Sequence, residues 1–109
     1  MAQHEFGLMN TVPKPGQRYD EYEPWKYGCI SVDDGCLDPI LEELGKIGFY
    51  WHTLDVPGRG LAVCGITLIP PEALAPMLGV LSGRPELENL RCLLLRAQAE
   101  HRYVIHFGL

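Results

Sequence analysis

Short apolar segments bounded by turn residues predict five β-strands along the chain. Near the C-terminal end, Tyr103, Ile105 and Phe107 alternate with other residues, which is the period of two that places side chains on one face of a strand. The other segments are short and apolar, and residues typical of turns separate them. The predicted strands cover residues 5–9, 29–32, 49–54, 61–69 and 103–109.

The third and fourth of these strands predict a hairpin. Residues 55–60 separate them, and this segment contains proline and glycines that favour a turn. If Leu54 pairs with Leu61, then Tyr50 lies opposite Gly65 on the returning strand.

Helical spacing of apolar residues predicts three helices. Asp38 and Pro39 begin the first, because a carboxylate caps free amide groups and proline has the φ angle of the first helical position. Residues 70–72 begin the second helix and residues 85–86 the third, and Pro76 is expected to kink the second helix or delay its start. The predicted core-facing residues are Leu37, Ile40, Leu41 and Leu44 in the first helix, Leu74, Met77, Leu78 and Leu81 in the second, and Leu87, Leu90, Leu94 and Ala97 in the third.

The order of these elements, β-β-α-β-β-α-α-β, predicts an α+β fold. At least one hairpin is present, so we expect a single-layer mixed or antiparallel sheet of about five strands, covered on one face by about three helices. The 109 residues suit one domain that spans 1–109, because a chain of this length has no room for a second hydrophobic core.

Charge and hydropathy narrow the classes of partner. The chain carries 14 acidic and 9 basic residues and a net charge of -5, so we expect no nucleic-acid binding, which requires clustered Lys and Arg. Apolar runs are shorter than a bilayer span, and the first residues lack the basic and apolar regions of a signal peptide. We therefore expect no membrane association and a cytoplasmic location.

Familiar cofactor and metal motifs are missing from the sequence. The four cysteines, at positions 29, 36, 64 and 92, form no Cys-x-x-Cys pair, and a cytoplasmic location predicts that they are reduced. A glycine-rich strand-to-helix fingerprint and a Gly-x-Ser-x-Gly motif are also absent. We expect no metal and no cofactor.

Residues 19–27, which we call the acidic-aromatic loop, combine four Tyr or Trp side chains with three acids. Pro24 and the prolines just before the segment block regular structure. Aromatic groups among acids suit a surface that binds a basic partner, whereas the alternative is that the aromatic side chains fold back over the sheet. The predicted partner-binding residues are Tyr19, Asp20, Glu21, Tyr22, Glu23 and Trp25.

A second candidate site combines two strand histidines with two aspartates. His52 and His106 lie on predicted strands and would share a pocket if they face one another, while Asp33 and Asp34 lie between a strand and a helix. Such a group can act in acid-base catalysis or hold a cation. Each residue also has a structural interpretation, since Asp-Asp-Gly favours a turn and a strand histidine often bonds to a neighbour.

Two hypotheses of function follow from these sites. The first is a small acidic protein-interaction module, of the immunity-protein or antitoxin kind, that binds a protein partner through the acidic-aromatic loop. The alternative is a small enzyme or ligand-binding domain with a pocket containing His52, His106 and Asp33 or Asp34; whether the chain is an enzyme stays open. An exposed sheet edge also allows a homodimer.

The stretch from Cys64 to Glu72 resembles segments of small bacterial proteins, and this resemblance implies no activity.

Overall fold

Six strands form one antiparallel sheet in the computed structural model, which describes residues 3–62 and 64–108. The order of strands across the sheet is β2-β1-β6-β5-β3-β4. This confirms the predicted α+β fold and selects the antiparallel alternative, with one strand more than expected. The strands are β1 Gln3–Leu8, β2 Ile30–Asp33, β3 Gly48–Trp51, β4 Pro57–Arg59, β5 Ile66–Ile69 and β6 Val104–Phe107.

The additional strand lies in the segment predicted as a turn. β4 pairs with one edge of β3, and β5 pairs with the other edge, so the hairpin is formed by β3 and β4. Tyr50 pairs with Leu68, and the predicted pairing with Gly65 is wrong. Glycine at position 58 lets the ring of Trp51 pack against this strand. A Cβ atom at that position would lie 2.3 Å from the ring and would collide with it.

Three helical segments cover one face of the sheet. The first is two short helices, α1 Asp34–Leu37 and α2 Leu41–Leu44, joined by the 3-10 turn Asp38–Ile40. It begins before the predicted Asp38, because the Asp33 carboxylate caps it by accepting a hydrogen bond from the Gly35 amide at 3.2 Å. The other two are α3 Pro71–Leu81, whose start is not delayed by Pro76, and α4 Glu88–Glu100.

No helix within the described residues is long and apolar enough to cross a membrane.

The two faces of the sheet carry different apolar layers. The helix face, against which the helices pack, includes the buried side chains of Phe6, Phe49 and Val104. The opposite face, which we call the loop face, has a smaller layer of five buried residues, Met9, Ile66, Leu68, Ile105 and Phe107. Half-buried side chains from the long loop and the strand ends, among them Tyr19, Tyr27, Cys29 and Tyr50, pack over this layer.

Candidate functional site

His52 attaches the acidic-aromatic loop to the loop face. The Tyr19 amide donates a hydrogen bond to the His52 carbonyl at 2.7 Å, and the Nδ1 of His52 lies 3.1 Å from the Tyr19 carbonyl and 3.0 Å from Oδ1 of Asp20. Both of these oxygens are acceptors, so Nδ1 carries the proton and donates. The Nε2 atom accepts a long bond of 3.4 Å from the Ile66 amide. Both ring nitrogens of His52 are therefore bonded within the protein.

The backbone around His52 is unusual. His52 has a φ of +64°, in the left-handed region that few residues other than glycine adopt. Its ring lies against Gly65, where an added Cβ would be 2.6 Å from the Nε2 atom of His52. This position therefore requires glycine, because any larger residue would displace the ring that holds the loop.

The aromatic side chains of the loop divide into two groups. Tyr19 and Tyr27 are half-buried and cover the loop face, and burial raises the pKa of both phenols. Tyr22 and Trp25 are largely exposed, with exposed fractions of 59% and 72%. Their rings meet edge to face, 6.4 Å between centroids. Tyr19 and Tyr27 therefore fold back over the sheet, whereas Tyr22 and Trp25 keep most of their surface exposed.

Ion pairs bind two of the three loop acids to nearby basic residues. Asp20 lies 2.8 Å from Nε of Arg18, and this guanidinium, together with His52, holds the pKa of the carboxyl below its usual range. Glu23 lies 2.8 Å from the ammonium of Lys26. These contacts are solvent-exposed, so each contributes little to stability. The loop charge is thus more balanced than its three acids indicate.

A cavity of about 560 Å³ lies between the loop and the sheet. Ile66 and Phe107 of the loop face contribute to its lining, together with Glu5, Tyr22 and His52. The Tyr22 hydroxyl donates a hydrogen bond to the Glu5 carboxylate, which raises the pKa of the phenol. The Tyr22 ring also meets Phe107 edge to face, with centroids 5.5 Å apart. Tyr22, although it is 59% exposed, therefore forms one wall of this cavity.

On the helix face, a line of hydrogen-bonded polar side chains runs from the start of α1 through β1 and β6 to β5, and its members on the three strands are buried. Asp34 Oδ1 lies 2.8 Å from Nε2 of His4, and Nδ1 of His4 lies 2.8 Å from Nε2 of His106. Nδ1 of His106 lies 3.1 Å from the hydroxyl of Thr67, which also accepts the Ala62 amide at 2.8 Å. Each group has a partner, as buried polar groups require.

His106 is fully buried and neutral. Burial, with a further effect from His4, lowers its pKa to about 3. The Asp34 carboxylate can only accept, so Nε2–H of His4 donates to it, while the neutral His106 ring donates through one nitrogen and accepts through the other in its contacts with His4 and Thr67. A histidine enclosed in this way stabilises the sheet and has no open side for a ligand.

The predicted pocket shared by the two histidines does not form, because they lie on opposite faces of the sheet. His106 pairs with Thr67 and Phe6, and its side chain points to the helix face. His52 follows Tyr50 by two residues, and both lie on the loop face. Asp34 joins His106 only through His4, and Asp33 caps a helix.

The sequence analysis did not select two residues of this network, Thr67 and His4. The sequence position of His4 could have indicated that it is buried. His4 lies two positions before the buried Phe6, and residues two apart on one strand face the same side of the sheet. The sequence His-Glu-Phe-Gly-Leu at residues 4–8 is also similar to His-Phe-Gly-Leu at residues 106–109. The strand β1 contains the first of these segments, β6 contains the start of the second, and the two strands are adjacent in the sheet.

Within residues 3–62 and 64–108, no group of three or more His, Cys, Asp or Glu side chains is arranged to hold a metal ion. Burial, with a smaller effect from Glu5, raises the pKa of the Cys29 thiol to about 11, which disfavours the thiolate form that a nucleophile requires.

No family model, no curated protein and no solved structure matches this chain.

Proposed function

We propose that this chain is a small acidic protein-interaction module, of the immunity-protein or antitoxin kind, which binds a protein partner through the acidic-aromatic loop. The observation that supports it is the exposure of Tyr22 and Trp25, at 59% and 72%, side by side on the same loop. Tyr and Trp are the residues most enriched at the centres of protein interfaces.

The attachment of the loop adds to this argument. His52 bonds to the start of the loop, and the 3-10 turn Pro24–Lys26 holds Trp25 beside Tyr22. A binding surface that is ordered before its partner arrives loses less entropy on binding. The net charge of -5 favours a basic partner through faster association.

Photo-cross-linking in the native host tests the proposal. A benzophenone amino acid in place of Trp25 keeps an aromatic ring at the surface, and we expect one dominant protein adduct. The same residue in place of Leu95, which is 39% exposed on α4, is the matched control and should give no such adduct. Adding Tyr22→Ala to the Trp25 probe should reduce the adduct about fivefold. An equal adduct from position 95, or none from position 25, would contradict the proposal.

The second candidate, a small ligand-binding domain or enzyme, is favoured by one observation, the cavity beside His52. Its volume of about 560 Å³ lies in the range of small-molecule sites. The polar groups of His52 are already bonded within the protein, which favours binding over proton transfer. Native mass spectrometry of the purified chain would support this candidate if a small molecule is retained by wild type and lost from His52→Gln.

The cellular location and the oligomeric state complete the proposal. We propose that the chain acts in the cytoplasm, in keeping with four cysteines that are all free thiols in the described part of the chain. A homodimer would pair through the edge strand β2, since the other edge, β4, has three residues and begins with proline. Sedimentation of the purified chain measures this state directly.

A further inference from the structure

We propose that the cavity beside Tyr22 takes the side chain of an arginine or a lysine from the protein partner. This inference rests on the proposed function, because it names the group by which the partner is recognised. The cavity opens next to the exposed aromatic pair, with Tyr22 belonging to both.

The charge of the cavity lining favours a cation. Two carboxylates, those of Glu5 and Asp20, contribute to it, and no lysine or arginine does so among the residues that the structure describes. Arg18 neutralises part of the Asp20 charge from outside this cavity. In the described contacts the Glu5 carboxylate bonds only to the Tyr22 hydroxyl, and no basic side chain pairs with it.

The aromatic rings of the lining favour the same class of group. The face of an aromatic ring attracts a guanidinium or ammonium group, most strongly where water is partly excluded. Tyr22, which lines the cavity and is 59% exposed, offers such a ring, and its edge-to-face contact with Phe107, with centroids 5.5 Å apart, supports it. Arginine can place its planar group against a ring while its nitrogens bond a carboxylate such as that of Glu5.

The position of the cavity makes a protein partner the source of this cation. The ring centroids of Tyr22 and Trp25 are 6.4 Å apart, so a partner that covers Trp25 reaches the cavity in the same contact. The site then provides an apolar contact at Trp25 and a charged contact at Glu5. This arrangement of an aromatic centre with an adjacent charge pair is common in specific interfaces.

A titration followed by nuclear magnetic resonance tests the inference on the full chain. The probes are two blocked tripeptides, Gly-Arg-Gly and its neutral counterpart with citrulline in place of arginine. We expect the arginine peptide to shift the amide signals of Glu5, Gly65 and Gly108 with a dissociation constant of about 1 mM or lower. The citrulline peptide should bind at least about fivefold more weakly, because it lacks the charge.

Two variants identify the charge responsible. Glu5→Gln should weaken binding of the arginine peptide about fivefold, whereas Glu86→Gln, an exposed acid far along the chain, should change it little. Unchanged signals elsewhere in the Glu5→Gln spectrum show that the fold is retained. Equal binding of both peptides, equal effects of both variants, or no shift with the arginine peptide would overturn the inference.

The outcomes also separate this inference from the proposed function. If position 25 cross-links to a partner but the arginine peptide does not bind, only the cavity assignment fails. If the peptide binds but position 25 yields no adduct, the proposed function fails, and with it a protein partner as the source of the cation.

Discussion

At the scale of single residues, the line of hydrogen-bonded side chains from Asp34 to Thr67 shows how the fold accommodates polar groups in its core. His4 and His106 have exposed fractions of 2% and 0%, and an unbonded nitrogen in such a place would destabilise the protein. Each nitrogen instead has a partner within 3.1 Å. The two histidines therefore connect the strands β1 and β6 by side chains as well as by backbone.

The neutral state of His106 predicts a loss of stability in acid. Its pKa is about 3 in the folded state and about 6.5 in the unfolded state, so between these values the unfolded chain binds more protons. Its contribution to the free energy of unfolding is therefore complete above about pH 6.5 and falls as the pH drops toward 3, by up to about 1.4 kcal/mol per pH unit. Urea unfolding at several pH values measures this slope.

Comparison of variants isolates the His106 part of that slope. His106→Gln should flatten the pH dependence, whatever its effect on stability at neutral pH. His101→Asn replaces an exposed histidine in the left-handed conformation that Asn tolerates, and it should keep the wild-type slope. An unchanged slope in His106→Gln would contradict the assignment.

Thr67→Val is expected to destabilise the protein by about 1–3 kcal/mol, because valine has the same shape but leaves His106 and the Ala62 amide without the hydroxyl that both bind. Urea unfolding at neutral pH gives the difference. Thr11→Val, at an exposed position, should lie within about 0.5 kcal/mol of wild type. Similar values for the two variants would show that the hydroxyl of Thr67 has no structural role.

At the scale of elements, the long loop depends on a glycine in the strand beneath it. The loop passes over β1 at Gly7, where an added Cβ would lie 2.7 Å from Tyr27 Cβ, 2.9 Å from its carbonyl and 2.7 Å from the sulfur of Cys29. The absence of a side chain at this point lets the loop pack directly on the sheet. This contact therefore positions the end of the acidic-aromatic loop at Tyr27.

Gly7→Ala should therefore destabilise the protein by about 1–3 kcal/mol and displace the end of the loop, since two backbone segments must move apart. Gly48→Ala, in strand β3, is the matched control, because its Cβ would meet nothing within 4 Å. It should change the free energy of unfolding by no more than about 0.5 kcal/mol. Thermal unfolding of the two variants measures both effects, and equal values would argue against a packed loop.

At the scale of the whole molecule, the last strand joins the two halves of the sheet. β6 lies between β1, which carries β2, and β5, which carries β3 and β4. Its residues Val104 to Phe107 are all buried, and they contribute to the layers on both faces. The first and last strands of the described chain thus pair with each other.

A chain that ends at Arg102 should consequently fail to fold. Removal of β6 leaves two unconnected pieces of sheet and exposes both apolar layers, so no cooperative core remains. Circular dichroism during heating should show no cooperative transition, in contrast to the full chain. A sharp transition in the shortened chain would mean that the helices and the remaining strands form a core without β6.

Much of this fold could be predicted from the sequence, because the signals of strands and helices are local. The apolar residues of α3 and α4 recur at helical spacing, and Leu74, Leu90 and Leu94 are all fully buried. The strand β4 was missed, since Pro57 and Gly58 are typical of a turn, and only their pairing with Tyr50 and Phe49 of β3 makes them part of a sheet. The exposed pair Tyr22 and Trp25 lay within the predicted binding segment, but their separation from Tyr19 and Tyr27 could not be predicted.

The sequence by itself therefore determined the class of fold, the approximate number and type of its elements, and the segment that carries the exposed aromatic residues. Only the tertiary structure decided which side chains meet. His52 and His106 have the same local signal, a histidine among strand residues, yet one holds a surface loop and the other is buried against His4. Spacing along a strand shows which residues share a face, whereas the face and its neighbours depend on pairing with distant strands.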